Sequence, residues 1–149
     1  MTTVKVKVNK TNPNATLPSY ATAGAAGMDV CACLPAYAPK VFRPGERGLV
    51  PTGLAFALPH GYEMQIRPRS GLALKSGISV INSPGTLDQD YRGELGILLI
   101  NHSQDESVTI RHGDRIAQLI VQAIPRVELE DVVSLDETDR GAGGFGSTG

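Results

Sequence analysis

Apolar residues in this chain come in short bursts, and a Gly- or Pro-bearing turn closes nearly every burst. Val4-Lys5-Val6-Lys7-Val8 alternates with period two, a half-buried strand with its lysines in water. Asn12, Pro13 and Asn14 break it. Met28 to Leu34, Leu49-Val50, Leu54 to Leu58, Tyr62 to Ile66, Ile78 to Ile81, Leu95 to Ile100 and Ile116 to Val121 follow as further strands. Pro44-Gly45, His60-Gly61, Ser83-Pro84-Gly85 and His112-Gly113-Asp114 are the turns between them. Only Ser70 to Ser76 suits a short helix, with Ser70 placed to cap it. Such spacing predicts an all-β domain, a sandwich, barrel or jelly roll. The abundance of 17 Gly and 10 Pro fits it.

At 149 residues the chain has room for one domain, and 41% apolar residues suffice for a core without disulfides. Fourteen basic against 15 acidic residues disfavour a partner held by a broad basic surface, so no nucleic acid is expected. A small, highly charged ligand needs only a few focused arginines. Cys31 and Cys33, at i and i+2, are badly placed to bridge each other and too few for structural zinc. They read as small buried hydrophobes of a reducing compartment. Met1-Thr2-Thr3-Val4-Lys5 lacks the apolar stretch of a signal peptide, and no apolar run reaches membrane-spanning length. The expectation is a soluble, cytoplasmic protein with no membrane partner.

Three segments could carry chemistry. Arg67-Pro68-Arg69-Ser70-Gly71 offers two guanidinium groups, a hydroxyl and a Gly-flanked backbone at a helix start, which suits an anion or a plain solvated turn. Asn82 to Glu94 is polar and lies between two apolar strands, as in a hairpin with an open backbone face. If it is extended, Asp88 and Asp90 share one face, placed to raise a pKa, hold a metal or hold a water. A charged hairpin tip is the bland alternative. The last segment, Arg140 to Gly149, is half Gly with Phe145 as its single aromatic. It lacks the Gly-Lys-Ser/Thr ending of a Walker loop, and by itself reads as a loose end. His60, His102 and His112 form no metal-ligand pair, and no Ser occupies a nucleophile elbow.

Taken together, five segments in order resemble the motifs of the homotrimeric deoxyuridine triphosphatases, the dUTPases. These are Ala26-Gly27-Met28-Asp29-Val30; Arg67 to Ala73; Asn82 to Gly93; Arg115-Ile116-Ala117-Gln118-Leu119-Ile120; and Arg140-Gly141 with Gly143 to Ser147. The resemblance runs from about Leu17 to the end of the sequence. It implies a distorted jelly-roll or barrel-like sandwich over residues 1–139, with a mobile tail, 140–149, that closes the site.

The resemblance also implies a reaction and a set of roles. dUTP is hydrolysed to dUMP and pyrophosphate by water attack at the α-phosphorus. That limits uracil incorporation into DNA and supplies dUMP for dTMP synthesis. Asp88 orients and deprotonates the water; Asp90 is a structural residue or a supporting partner behind it. Uracil lies against Asn82 and the backbone of Gly85, Thr86 and Leu87, and Tyr91 packs on the deoxyribose. Arg69, Ser70, Gly71 and Gln118 meet the triphosphate. Mg²⁺ rides on the phosphates, with Asp29 holding it through water. From the tail, Phe145 stacks on uracil, while Arg140, Gly146 and Ser147 reach the γ-phosphate. Active sites are shared among the three chains of a homotrimer. A dCTP deaminase of the same architecture and a non-catalytic nucleotide-sensing interaction protein are the alternatives.

Overall fold

The computed structural model describes residues 3–147. Four strands, β1 (Lys7–Lys10), β5 (Arg47–Ala57), β9 (Glu94–Asn101) and β7 (Ile78–Val80), form one sheet in that order. Five more, β2 (Ser19–Tyr20), β3 (Met28–Cys31), β11 (Arg115–Ala123), β6 (Tyr62–Arg67) and β8 (Gly85–Leu87), form a second. A small third sheet pairs β4 (Lys40–Phe42) with β10 (Val108–Ile110). Every pairing is antiparallel. The sheets stay open, so the fold is the sandwich form of the expected jelly roll rather than a closed barrel.

Strand β9 explains why the sandwich holds. Its side chains alternate, with Leu95, Ile97, Leu99 and Asn101 buried and Leu98 exposed. Of these, Leu95, Ile97 and Leu99 meet Val50 and Leu54 of β5, and Val30, Met64, Ile66, Ala117 and Leu119 of the opposite sheet, in one core cluster. A side chain of this size contributes about 1.5–3 kcal/mol on full burial. No helix among the described residues is long and apolar enough to cross a membrane.

Several local expectations shift. The first strand starts later than Val4, at Lys7, and its residues are all exposed, because β1 is an edge strand paired only with β5. Leu49-Val50 and Leu54 to Leu58 are not separate: β5 runs through Pro51, where its register against β9 shifts. A residue without an N–H is tolerated at such an irregularity. The helix α1 spans Ser70–Ser76 as expected, but Arg69 is its cap position and Ser70 its first turn; no side chain caps it. Ser70 therefore keeps its hydroxyl for other partners. Beyond Ala123 no strand or helix forms among the described residues, and Ile124 to Ala142 are exposed. Thr148 and Gly149, the end of the predicted tail, lie outside the described residues, as do Met1 and Thr2.

Candidate active site

Strands β7 and β9 pair as the arms of a hairpin, with Val80 opposite Leu99. The polar segment between them is not a free tip. Its middle, β8, crosses to the other sheet and pairs with β6, Gly85 opposite Ile66 and Leu87 opposite Met64. Gly85 and Leu87 are buried by that pairing, while Thr86 faces out. The crossing leaves a pocket of about 200 Å³ at the seam between the sheets. Asn82, Gly85, Thr86, Leu87, Asp88 and Tyr91 all line it, with Ile66 and Val80 among the apolar walls. Of the residues expected for base, sugar and water, all but Phe145 thus come together in one pocket.

After Leu87 the chain leaves the strand and turns, closed by the Tyr91 N–H donating to the Asp88 carbonyl at 3.2 Å. Asp88 and Asp90 therefore do not share a strand face, contrary to the extended reading. Asp88 is exposed, and among the described residues its carboxylate accepts no hydrogen bond and joins no ion pair. It is a free acceptor. The Tyr91 hydroxyl donates to the Glu94 carbonyl at 3.1 Å, which fixes its ring at the pocket rim.

A second cluster gathers where β3, β11 and the start of α1 meet. Asp29 on β3 stands opposite Gln118 on β11, which in turn pairs with Arg67 of β6. The Asp29 carboxylate accepts from Arg69 Nε at 2.8 Å and from an Arg115 Nη at 3.2 Å. Two guanidinium groups on one carboxylate leave a local excess of positive charge, suited to an anion. Gln118 donates its amide to the Pro68 carbonyl at 2.9 Å and so braces the segment that bears Arg69, Ser70 and Gly71. Gly27 makes room for this: a Cβ there would meet Gln118 Oε1 at 2.8 Å.

Arg115 is the residue whose site contact sequence reasoning missed. A register shift between Arg115 and Ala117 sets it opposite Cys31, diagonal to Asp29. Nothing in the local sequence announces such an irregularity. Cys31 is half-buried beside this cluster and Cys33 fully buried; both thiols are free, and burial pushes both up from the ordinary thiol pKa.

The tail stands apart. Phe145 is fully exposed, and the hydrogen bonds of residues 138–147 stay within that segment, among them Arg140 Nε to the Gly143 carbonyl at 2.8 Å. Within one chain it touches neither cluster through a hydrogen bond. No group of three or more His, Cys, Asp or Glu among the described residues could hold a metal. A wider groove of about 740 Å³, between the N-terminal segment and β2–β3, has Tyr20 as its only titratable side chain, so size alone does not mark the site.

The family model for dUTPase matches residues 13–149. The deoxyuridine 5'-triphosphate nucleotidohydrolase of Caulobacter vibrioides is 57% identical over 138 residues, covering 93% of this chain and 88% of the relative. Among solved structures, a variant of the dUTPase of Staphylococcus bacteriophage 80alpha, with dUpNHpp, superposes with a TM-score of 0.87 at 28% identity, covering 99% of each chain. A dUTPase from phage phi11 of S. aureus, in which a structural Mg(II) ion is coordinated, gives a TM-score of 0.77 at 25% identity, covering 87% of this chain and 97% of that one. Two clusters built from the motif residues, on a fold shared with these proteins, agree with the match along nearly the whole sequence: the chain belongs to the dUTPase family.

Proposed function

We propose that this protein hydrolyses dUTP to dUMP and pyrophosphate, with Asp88 as the base. The observation that carries the reading is the seam pocket, which joins a free carboxylate to a narrow, backbone-lined cleft. Uracil presents an N3 donor between two carbonyl acceptors. Fixed backbone groups of Gly85, Thr86 and Leu87 with the Asn82 amide match that order and mismatch cytosine, where each unpaired buried group costs about 1–3 kcal/mol. The Tyr91 ring leaves no room for a ribose 2′-hydroxyl. The Asp88 carboxylate takes a proton from water as its oxygen bonds to the α-phosphorus. The bond from that phosphorus to the bridging oxygen breaks, and pyrophosphate leaves. Ser70, Gly71, Arg69 and Gln118 meet the charge that builds on the phosphates.

Mg²⁺ fits as a substrate-borne ion. Asp29 spends one lone pair on each guanidinium and keeps others for a metal-bound water, while no protein cage among the described residues competes for the ion. When bound, it neutralises the leaving pyrophosphate.

A homotrimer with shared sites is part of the proposal, and the geometry of one chain supports it. Asp88 comes just after Leu87, which lies opposite Met64, whereas Arg69 is past the far end of β6. The run from Glu63 to Arg69 covers up to roughly 20 Å, too far for one nucleotide to bridge comfortably. A neighbour's phosphate cluster can complete the site, and a tail whose described part makes no hydrogen bond to its own body is free to close it. The body is residues 1–139 and the closing tail 140–149. Two free thiols favour a reducing compartment, the cytoplasm, where hydrolysis limits uracil incorporation and supplies dUMP for dTMP synthesis.

The test is pyrophosphate release from each deoxynucleoside triphosphate and UTP with Mg²⁺. Release from dUTP alone is expected. Ammonia from dCTP would indicate a deaminase, and tight dUTP binding without turnover a nucleotide-sensing protein. Equal kcat/KM for UTP and dUTP would remove Tyr91 from its role.

A further inference from the structure

Because the Asp88 carboxylate has no partner among the described residues, its aim depends on the backbone that carries it. That backbone is clamped at the next residue, Gln89. The Gln89 carbonyl accepts from an Arg92 Nη at 2.6 Å, and the same nitrogen reaches the Tyr91 carbonyl at 2.9 Å. On its other side, the Gln89 side chain accepts at Oε1 from the Gly61 N–H at 3.1 Å. Only the oxygen of the amide can take that hydrogen, so the orientation of the amide is fixed by chemistry. Gly61 belongs to the turn between β5 and β6 and has φ of +81°, a backbone state that other residues adopt at a cost. Its carbonyl accepts from the Ile124 N–H at 2.8 Å. Ile124 is the first residue past β11, where the exposed C-terminal segment departs.

We propose that Gln89 is a positioning residue for Asp88, acting through Gly61, and that Gly61 thereby ties the water-activating turn to the root of the closing tail. This rests on the reading of Asp88 as the base. A shift of about 1 Å in such a group is worth up to roughly 100-fold in rate. Losing one of two clamps should therefore lower kcat without removing any contact to substrate.

Gln89→Met keeps the side-chain length but has no comparable acceptor; Gln89→Ala is a second acceptor-free variant, too small to clash. Gln89→Glu keeps the acceptor. The comparison is made at about pH 8, well above the ordinary carboxylate range. For Gln89→Met and Gln89→Ala, kcat for dUTP should fall about tenfold with KM within about twofold of the parent; Gln89→Glu should return kcat to within about twofold. In the folded proteins the Gly61 amide should exchange its hydrogen faster in the acceptor-free variants and at the parental rate with Glu. Parental kcat in Gln89→Met and Gln89→Ala, or an equal loss with Glu, would overturn the proposal. Asp88→Asn is measured alongside. If it stays active, the base assignment falls and this inference with it. If it is inactive while Gln89→Met is unaffected, the inference alone falls.

Discussion

Asn101 is fully buried at the end of an apolar strand and answers three backbone groups. Its amide nitrogen donates to the carbonyls of Phe42 and Glu106 at 2.9 and 2.8 Å, and its oxygen accepts from the Ser103 N–H at 2.8 Å. Asn101→Leu would leave those groups unpaired, costing about 2–4 kcal/mol. For a chain of this size that lowers Tm by roughly 5–15 °C, measurable by calorimetry. An unchanged Tm would mean that the carbonyls find other partners. At this scale the sequence was informative where chemistry forces a residue type. Asp88, Tyr91 and Asn82 were legible because the segment from Asn82 to Gly93 resembles a dUTPase motif, and the structure brings the three to one pocket. Asn101 and Arg115 were not legible: one looks like the polar end of a strand, and the other gains its partner only through a register shift.

Among elements, β9 and β11 were readable from their apolar runs, since strands covered on their inner face advertise it. Strand β8 was not. Three residues, Gly85 to Leu87, carry too little pattern to say which sheet they join; only the pairing with β6 settles it. The irregular middle of β5 was equally hidden, and it is where the element is most sensitive. Gly53 has φ of +66°, and a Cβ on it would meet the Cβ atoms of Ala15 and Asn12 at 2.9 Å and Cys33 Sγ at 3.0 Å. Its N–H also donates to Glu94 Oε1 at 2.8 Å, tying the pocket wall to β5. Gly53→Ala should cost about 2–4 kcal/mol from backbone strain and overpacking together. A urea titration with the midpoint unmoved would show that the strand relaxes instead.

For the whole molecule, the decisive prediction concerns assembly. Deleting residues 140–149 should leave folding intact, because the described part of that segment makes no hydrogen bond to the body, and should nearly abolish turnover. Asp88→Asn should do the same for a different reason. Refolded together in equal amounts, the two inactive proteins should regain activity. With loop and tail drawn from different chains of a random trimer, about a quarter of sites receive both intact parts. Persistent inactivity in mixed trimers, verified by native mass measurement, would refute shared sites. The fold class was readable at this scale because turns punctuate the sequence so regularly. The distance between the two clusters was not, since it depends on which strands lie side by side. That arrangement has a further effect. The pocket sits where one sheet contributes Val80 and Leu95 and the other Ile66 and Leu87, so its width is the gap between two packed layers. On the proposed reading of this pocket as the uracil site, the layers themselves would be the gauge that admits uracil and refuses its 5-methyl counterpart. Selectivity of this kind erodes through any core change that lets the sheets part by the thickness of one methyl group, even one that touches no substrate atom.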